Sequence, residues 1–272
     1  MPVDPRAAAG FGGDVRPYEL GRPGYAPEAV AHVAATFGLT RASTVVDLAA
    51  GTGKVTRTLV GVAGTVVAVE PSDAMLAVLR DVVPEARAMR GTAEAMPLPE
   101  GFADAVVVGE AFHWFDAEAA GREIARVLRP GGGLALLWNR EQPDDPEPAW
   151  RVRIRELLDQ HLRAFGTHPA HGGPHPAQGP GWLAPLEALG LFAPFRSASF
   201  EHVDELTPER VEALIASFSW IATLAPAVRE DVLAEVRAAV AGVPQLAIRY
   251  RTDVTTSAVR PWRVAPSAPP RR

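Results

Sequence analysis

The sequence predicts an α/β protein built on an open, doubly wound sheet, and three observations carry that expectation. Val45-Val46-Asp47-Leu48 is an apolar, largely β-branched run holding one acid, and it passes into a turn of small residues, Ala49-Ala50-Gly51-Thr52-Gly53. Similar apolar runs recur at 65–70, 103–109 and 134–139, and the segments between them carry apolar residues at helical spacing. The chain has 272 residues, 47% of them hydrophobic, enough to bury a sizeable core as one domain or as one domain with a cap. In such a sheet ligands sit outside the carboxyl ends of the strands, so the turn after Leu48 is the first place to look for a site.

Three nucleotide-binding chemistries compete for that turn. A phosphate-cradling loop needs Gly, four residues and then Gly-Lys-Ser/Thr. Counting back from Gly53-Lys54 puts Leu48 where the first Gly belongs and Val55 where the metal-binding hydroxyl belongs. A dinucleotide loop wants G-x-G-x-x-G at a helix start. Ala49, Gly51 and Lys54 fit it poorly, and a carboxylate at Asp47 would oppose the pyrophosphate. An acid at a strand end beside a small-residue turn suits a cationic ligand without phosphates, and S-adenosylmethionine, with its sulfonium, amino group and ribose, is one.

Asp47-x-Ala49-x-Gly51-x-Gly53 resembles the first motif of the class I S-adenosylmethionine-dependent methyltransferases, with Ala49 where that family most often has Gly. Three later stretches resemble further motifs of the family in the same order. They are Gly91-Thr92-Ala93-Glu94-Ala95-Met96-Pro97, Glu110-Ala111-Phe112-His113-Trp114-Phe115-Asp116 and Arg126-Val127-Leu128-Arg129-Pro130-Gly131-Gly132. The middle one is similar to the Gln-Ala-Phe-His-Trp-Phe-Asp signature of a small-molecule branch, with Glu110 in place of Gln. The resemblance covers residues 18 to 139. It implies a Rossmann-like sheet of seven strands closed by an antiparallel hairpin, with S-adenosylmethionine as cofactor.

What the resemblance implies residue by residue is a cofactor site made by Asp47, Ala49, Gly51 and Gly53 on the first loop. Thr92, Ala93 and Glu94 would frame the adenine edge, Thr92 standing where Asp is more usual. Glu110 would lie near the cofactor amino group. The segment Tyr18…Arg22-Pro23-Gly24-Tyr25 would fold over the pocket, Arg22 pairing with the methionine carboxylate. Spacing adds Glu70, which follows Asp47 by 23 positions, about where an acid reaches ribose hydroxyls. Ser72 is placed to cap a helix over 73–83, and Met75 in its first turn suits either the adenine face or the core. His113 is the ring that can accept a proton in the aromatic run, and is the candidate general base. Tyr25, Phe112, His113, Trp114 and Trp220 are the candidate substrate pocket, with Ser217, Phe218 and Ser219 beside them.

Composition narrows the partners. The net charge is -5 with no basic run, so neither nucleic acid nor an anionic membrane is suggested. No run of about 18 apolar residues occurs, and the first residues lack a basic-then-apolar leader, so a soluble cytoplasmic monomer or homodimer is expected. Zero cysteines exclude disulfides, thiolate metal sites and thiol nucleophiles, including the cysteine route to cytosine methylation. The absence of Asp/Asn-Pro-Pro-aromatic after the fourth strand disfavours amino methylation of bases and of some proteins, and the cap and the aromatic run favour a small apolar or aromatic acceptor.

The remaining elements follow from local signals. A helix over 28–37 buries His32, Val33 and Phe37, a helix over 54–60 follows the first loop, and a short third strand lies near 86–89. A helix over 118–128 stops at Pro130-Gly131-Gly132-Gly133. A turn-rich linker over 143–148 leads to an amphipathic helix over 150–165. His168, His171 and His175 lie among Pro and Gly with no acid joining them, which reads as a loop over the pocket with no metal bound. A strand over 195–203, a helix opened by Thr207-Pro208 with Val211, Leu214, Ile215 and Phe218 on one face, a helix over 227–240 and a strand over 245–259 complete the fold. The expected division is a lid segment and helix at 1–38, the cofactor core at 39–140, cap helices and last strands at 141–259, and a tail at 260–272. Two other readings remain open at this point: a nicotinamide-dependent oxidoreductase, and a protein that binds S-adenosylmethionine without transferring methyl.

Overall fold

The computed structural model describes residues 15–165 and 181–260, and His168, His171 and His175 lie outside them. In chain order the elements are α1 (Arg16–Gly21), α2 (Pro27–Phe37), β1 (Thr44–Leu48), α3 (Thr56–Val60), β2 (Thr65–Glu70), α4 (Asp73–Val82), β3 (Arg87–Arg90) and β4 (Ala103–Gly109). A single 3₁₀ turn (Phe112–Trp114) leads to α5 (Ala117–Val127), β5 (Leu128–Glu141), α6 (Ala149–Phe165), α7 (Ala184–Ala188) and β6 (Arg196–Leu206). Then come α8 (Pro208–Ala216), α9 (Ser219–Ala222), α10 (Pro226–Val240) and β7 (Leu246–Ala258).

The strands form one sheet in the order β3-β2-β1-β4-β5-β7-β6. Pairing is parallel from β3 through β5, and β7 runs antiparallel to both of its neighbours. The strand order turns back between β1 and β4, which is where open sheets of this kind leave a crevice for a ligand. Both faces of the sheet are covered, so the strands read as continuous apolar runs. Val46, Leu48, Val67, Val69, Val106, Val108, Leu134 and Leu136 pack with Ile124 and Val127 of α5 on one face. Val45, Val66, Val107, Ala135 and Leu137 pack with Ala29, Val30 and Val33 of α2 on the other. A separate cluster joins α6, α8, α9 and α10 over the ends of β6 and β7 through Ile154, Leu214, Ile221, Val232 and Val236, and is the helical cap.

Local chemistry sets the boundaries. The Ser72 hydroxyl accepts the Met75 amide, Asp116 accepts the amides of Glu118 and Ala119, and the Thr207 hydroxyl accepts the Arg210 amide, each an N-cap. Four expectations need correction. The helix after the first loop starts at Thr56, two residues late, because the small residues before it are taken up in turns such as the Gly53 amide on the Ala50 carbonyl. β5 begins at Leu128, which pairs with Ala103 before residues 129–132 loop out and pairing resumes at Gly133 against Ala105. The Pro-Gly-Gly-Gly stretch is therefore a bulge inside a strand rather than a gap before one. His32 and Phe37 are half-buried at the rim, against Phe200 and Gly133, and α9 adds a third helix between β6 and β7.

Gly21 lets α1 lie directly on the main chain of α8, since a methyl group at Gly21 would fall 2.1 Å from the Leu214 nitrogen. Gly21→Ala is expected to cost about 1–3 kcal/mol of overpacking, more than the ~1 kcal/mol that Ala gains over Gly inside a helix. A lowered melting temperature and faster chymotryptic cleavage after Tyr18 and Leu20 would report α1 coming loose. Identical melting and cleavage would show that the close approach holds nothing in place.

Candidate active site

At the carboxyl ends of β1, β4 and β5 lies a cleft of about 450 Å³. Its floor is Glu110, His113 and Trp114 after β4, with Asn139 and Glu141 at the end of β5 and Tyr250 of β7 beyond them. Tyr18, Arg22 and Tyr25 cover one side, and Leu214, Ser217 and Phe218 of the cap cover another. Met75 and Lys54 close the side nearest the first loop.

That loop is built around two acids. Asp47 is 1% exposed; its Oδ2 accepts the Thr56 hydroxyl at 2.5 Å, and its Oδ1 is buried with no hydrogen-bond partner. Burial in low dielectric pushes its carboxyl from the ordinary 3.8 up to about 7, against the pull of the Thr56 hydrogen bonds. Glu70 ends β2 and accepts the Gly51 amide on one oxygen and the Ser72 amide on the other, each at 2.9 Å. Burial raises its pKa as well, and those two amides oppose the rise. Ala49, Gly51 and Gly53 all take positive φ, at 55°, 57° and 91°. For the two glycines this is free; for Ala49 it is a strained conformation that the surrounding turn enforces.

A second strained residue faces it across the switch point. Glu110 has φ 57°, its amide donates to the Leu137 carbonyl at 2.9 Å, and its carboxylate accepts the Asn139 amide. Asn139 then reaches the N-terminal strap: its Nδ2 donates to the Gly24 carbonyl at 2.7 Å. Tyr25 fits beneath that strap because Gly109 has no side chain, a methyl there falling 2.4 Å from the tyrosine oxygen. Burial raises the pKa of Tyr18, and raises that of Tyr25 well above the ordinary value, so neither hydroxyl serves as a proton acceptor near neutral pH. On the outer side Lys54 donates to the Glu19 carbonyl at 2.5 Å and Arg57 pairs with the Glu19 carboxylate, tying α1 to the first loop.

Of the residues singled out in the sequence, Tyr18, Arg22, Tyr25, Met75, Glu110, His113 and Trp114 meet in the cleft, along with Ser217 and Phe218. The Asp47, Ala49, Gly51, Gly53 and Glu70 group stands together at the adjoining loop. Gly91 donates to the Glu70 carbonyl at 3.3 Å, which brings Thr92 and Ala93 alongside. Three assignments change. Glu94 is exposed and accepts the Asp116 amide at 3.2 Å, which makes it a brace for the turn before α5. Phe112 is 4% exposed and packs against Phe115 and Trp182, so it belongs to the core. Trp220 packs against the cap cluster and does not line the cleft; the Ser219 side chain lies outside the described residues. Lys54, Asn139, Glu141 and Tyr250 were not singled out. A polar residue closing an apolar strand, as Asn139 does, was the available signal.

Known proteins resemble this chain in sequence and in fold. Residues 46–136 match the family model of a methyltransferase domain. An uncharacterized methyltransferase of Mycobacterium tuberculosis is 38% identical over 240 residues, covering 87% of this chain and 88% of that protein. An uncharacterized methyltransferase-like protein of Schizosaccharomyces pombe is 31% identical over 258 residues, covering 92% and 96%. The structure of a candidate type II methyltransferase of Anaeromyxobacter dehalogenans aligns at a TM-score of 0.56 and 20% identity over 88% of this chain and 97% of that one, a likeness of fold. With the strand order, the first loop and full-length relatives in agreement, the chain belongs to the class I S-adenosylmethionine-dependent methyltransferases.

Proposed function

We propose that the chain moves a methyl group from S-adenosylmethionine to an oxygen or carbon of a small organic molecule held in the cleft. The observation that carries this reading is the buried, unpartnered Oδ1 of Asp47 beside a cleft roofed by α1 and the cap. A buried carboxylate oxygen without a donor costs free energy until a ligand supplies one, and a cationic amino group is a donor that also answers the charge.

The residues present fit the cofactor. Asp47 would accept from its amino group. Each Glu70 oxygen, already holding one amide, keeps a lone pair for a ribose hydroxyl. Gly51, Gly53 and the Thr92-Ala93 backbone would border the nucleoside, and Met75, 3% exposed at the edge of the cleft, offers it a thioether face. When bound, the cofactor supplies an electrophilic methyl on its sulfonium. The chain contributes alignment and exclusion of water, which are the larger part of what such a displacement needs. His113 is exposed at the floor with its ring 4.5 Å from that of Trp114, placed to take a proton from an acceptor hydroxyl. The roof limits the acceptor to a small molecule, which supports a metabolite over a macromolecule. Among the described residues no helix is long and apolar enough to cross a membrane, and no cluster of His, Cys, Asp and Glu suits a metal ion.

Calorimetry should give micromolar binding of S-adenosylhomocysteine and none of NAD, with Glu70→Ala weakening the former about tenfold or more. Binding of NAD alone would overturn the assignment. His113→Ala should lower turnover about 100-fold while leaving S-adenosylhomocysteine affinity intact; unchanged turnover would remove the general base from the mechanism. Asp47 makes a signed prediction about pH. Its folded pKa of about 7 exceeds the ordinary 3.8, so between these values the folded ligand-free protein binds a proton that the unfolded chain does not. Asp47 therefore lowers stability as pH rises through that window, by up to ~1.4 kcal/mol per pH unit. Comparing the melting of the wild type and Asp47→Asn from pH 5 to 7 isolates the effect, the variant showing the flatter profile. Parallel profiles would mean that Asp47 is ionised throughout.

A further inference from the structure

Arg22 stands in the roof of the cleft, and among the described residues it forms no ion pair with an acid. Its guanidinium carbon lies 5.4 Å from the ring centroids of both Tyr18 and Phe218, so the group is held by two aromatic rings. Its Nη2 donates to the Ser217 carbonyl at 3.2 Å, while its Nε is buried without a hydrogen-bond partner. Among the described residues no carboxylate oxygen comes within 4.0 Å of it. Arginines nearby differ: Arg57 holds Glu19, Arg151 holds Asp144 and Arg210 holds Asp204.

A half-buried guanidinium without a counter-charge is unfavourable, and its rigid fork of donors matches planar or tetrahedral oxyanions. The surroundings choose between those. Glu110 and Glu141 also line the cleft, so a doubly charged phosphate would be repelled more strongly than a singly charged carboxylate. The cap residues around Arg22 in the cleft, Leu214, Ala216, Phe218 and Ala222, are apolar. The contacts that fix Arg22, to Tyr18, Ser217 and Phe218, belong to the lid and the cap, and none belongs to the β1 loop that faces the cofactor.

Resting on the methyl-transfer reading above, we propose that Arg22 binds the carboxylate of the methyl acceptor, which is then a small monocarboxylic acid with an apolar or aromatic body. The methionine carboxylate of the cofactor is the competing source of the same chemistry, and the test separates the two. Full-length protein saturated with S-adenosylhomocysteine is titrated with benzoate, phenylacetate, hexanoate and decanoate, each beside its neutral amide. At least one acid should bind about tenfold tighter than its amide. Arg22→Gln should abolish that preference and Arg22→Lys should keep part of it, with S-adenosylhomocysteine affinity in both within about threefold of wild type. The inference falls if no acid is preferred over its amide, or if the preference survives in Arg22→Gln. It falls equally if Arg22→Gln weakens S-adenosylhomocysteine about tenfold but leaves 5′-methylthioadenosine, which lacks the amino-acid end, unaffected, because Arg22 then serves the cofactor. Failure of S-adenosylhomocysteine to bind the unaltered protein would overturn the methyl-transfer reading and this inference with it.

Discussion

The cleft depends on a hydrogen-bonded junction at the end of β5. Asn139 donates through Nδ2 to the Gly24 carbonyl at 2.7 Å and accepts through Oδ1 from the Thr252 hydroxyl at 2.6 Å. That hydroxyl accepts the Ala26 amide at 3.1 Å, and the Asn139 amide itself donates to the Glu110 carboxylate. One residue thus joins the N-terminal strap, the last strand and the turn after β4. The amide side chain supplies the donor and the acceptor from separate atoms. A carboxylate would lose the bond to Gly24 and set a second negative charge beside Glu110. Hydrogen-bonded networks of this kind favour one arrangement of their parts.

The junction also restrains stored strain. Ala49 and Glu110 are the described residues other than glycine with positive φ, and they end the two adjacent strands that flank the switch point. Each such residue costs on the order of 1–3 kcal/mol and persists only where its neighbours over-determine it. Around Ala49 the restraint is the Ala50 amide on the Val69 carbonyl at 3.1 Å and the Gly51 amide on Glu70. Around Glu110 it is the Leu137 carbonyl and Asn139.

Much of this was legible in the sequence, for a physical reason. β1, β2 and β4 are apolar runs ended by small or charged residues, and a buried parallel strand has no other way to be written, so their limits could be read almost to the residue. The start of β5 could not be, because Pro130-Gly131-Gly132 signals a stop and only pairing of Leu128 with Ala103, far away in the chain, reveals a bulge. The site divides in the same way. The first loop is local and was readable. Phe112 and Glu94 are expected at the ligand because a motif gives residue type and not side-chain direction, and the packing of Phe112 on Trp182 is a contact no spacing announces. Tyr250 joins the site only through the antiparallel β5–β7 pairing that sets it opposite Glu141. Gly21 and Gly109 looked ordinary until the backbones and rings they admit were placed beside them.

The lid is docked mainly by contacts outside the two uncompensated groups of the site, Arg22 adding its bond to the Ser217 carbonyl and its packing on Phe218. α1 is held by the close approach of Gly21 to Leu214 and by Glu19, whose carbonyl takes Lys54 and whose carboxylate meets Arg57. The Arg57 pair is half exposed and contributes little, since exposed ion pairs are worth about 0–1 kcal/mol; the packing does most of the work. The roof can therefore form while Asp47 Oδ1 and Arg22 Nε, one on the first loop and one on the lid, still lack hydrogen-bond partners among the described residues. Opposite charges kept on separate elements cannot satisfy each other, and each destabilises the ligand-free fold until a ligand answers it. A ligand present at 100 times its dissociation constant adds about 2.7 kcal/mol of stability by mass action. A cationic amine at Asp47 and an anion at Arg22 would each supply such a gain, through different parts of one ternary complex.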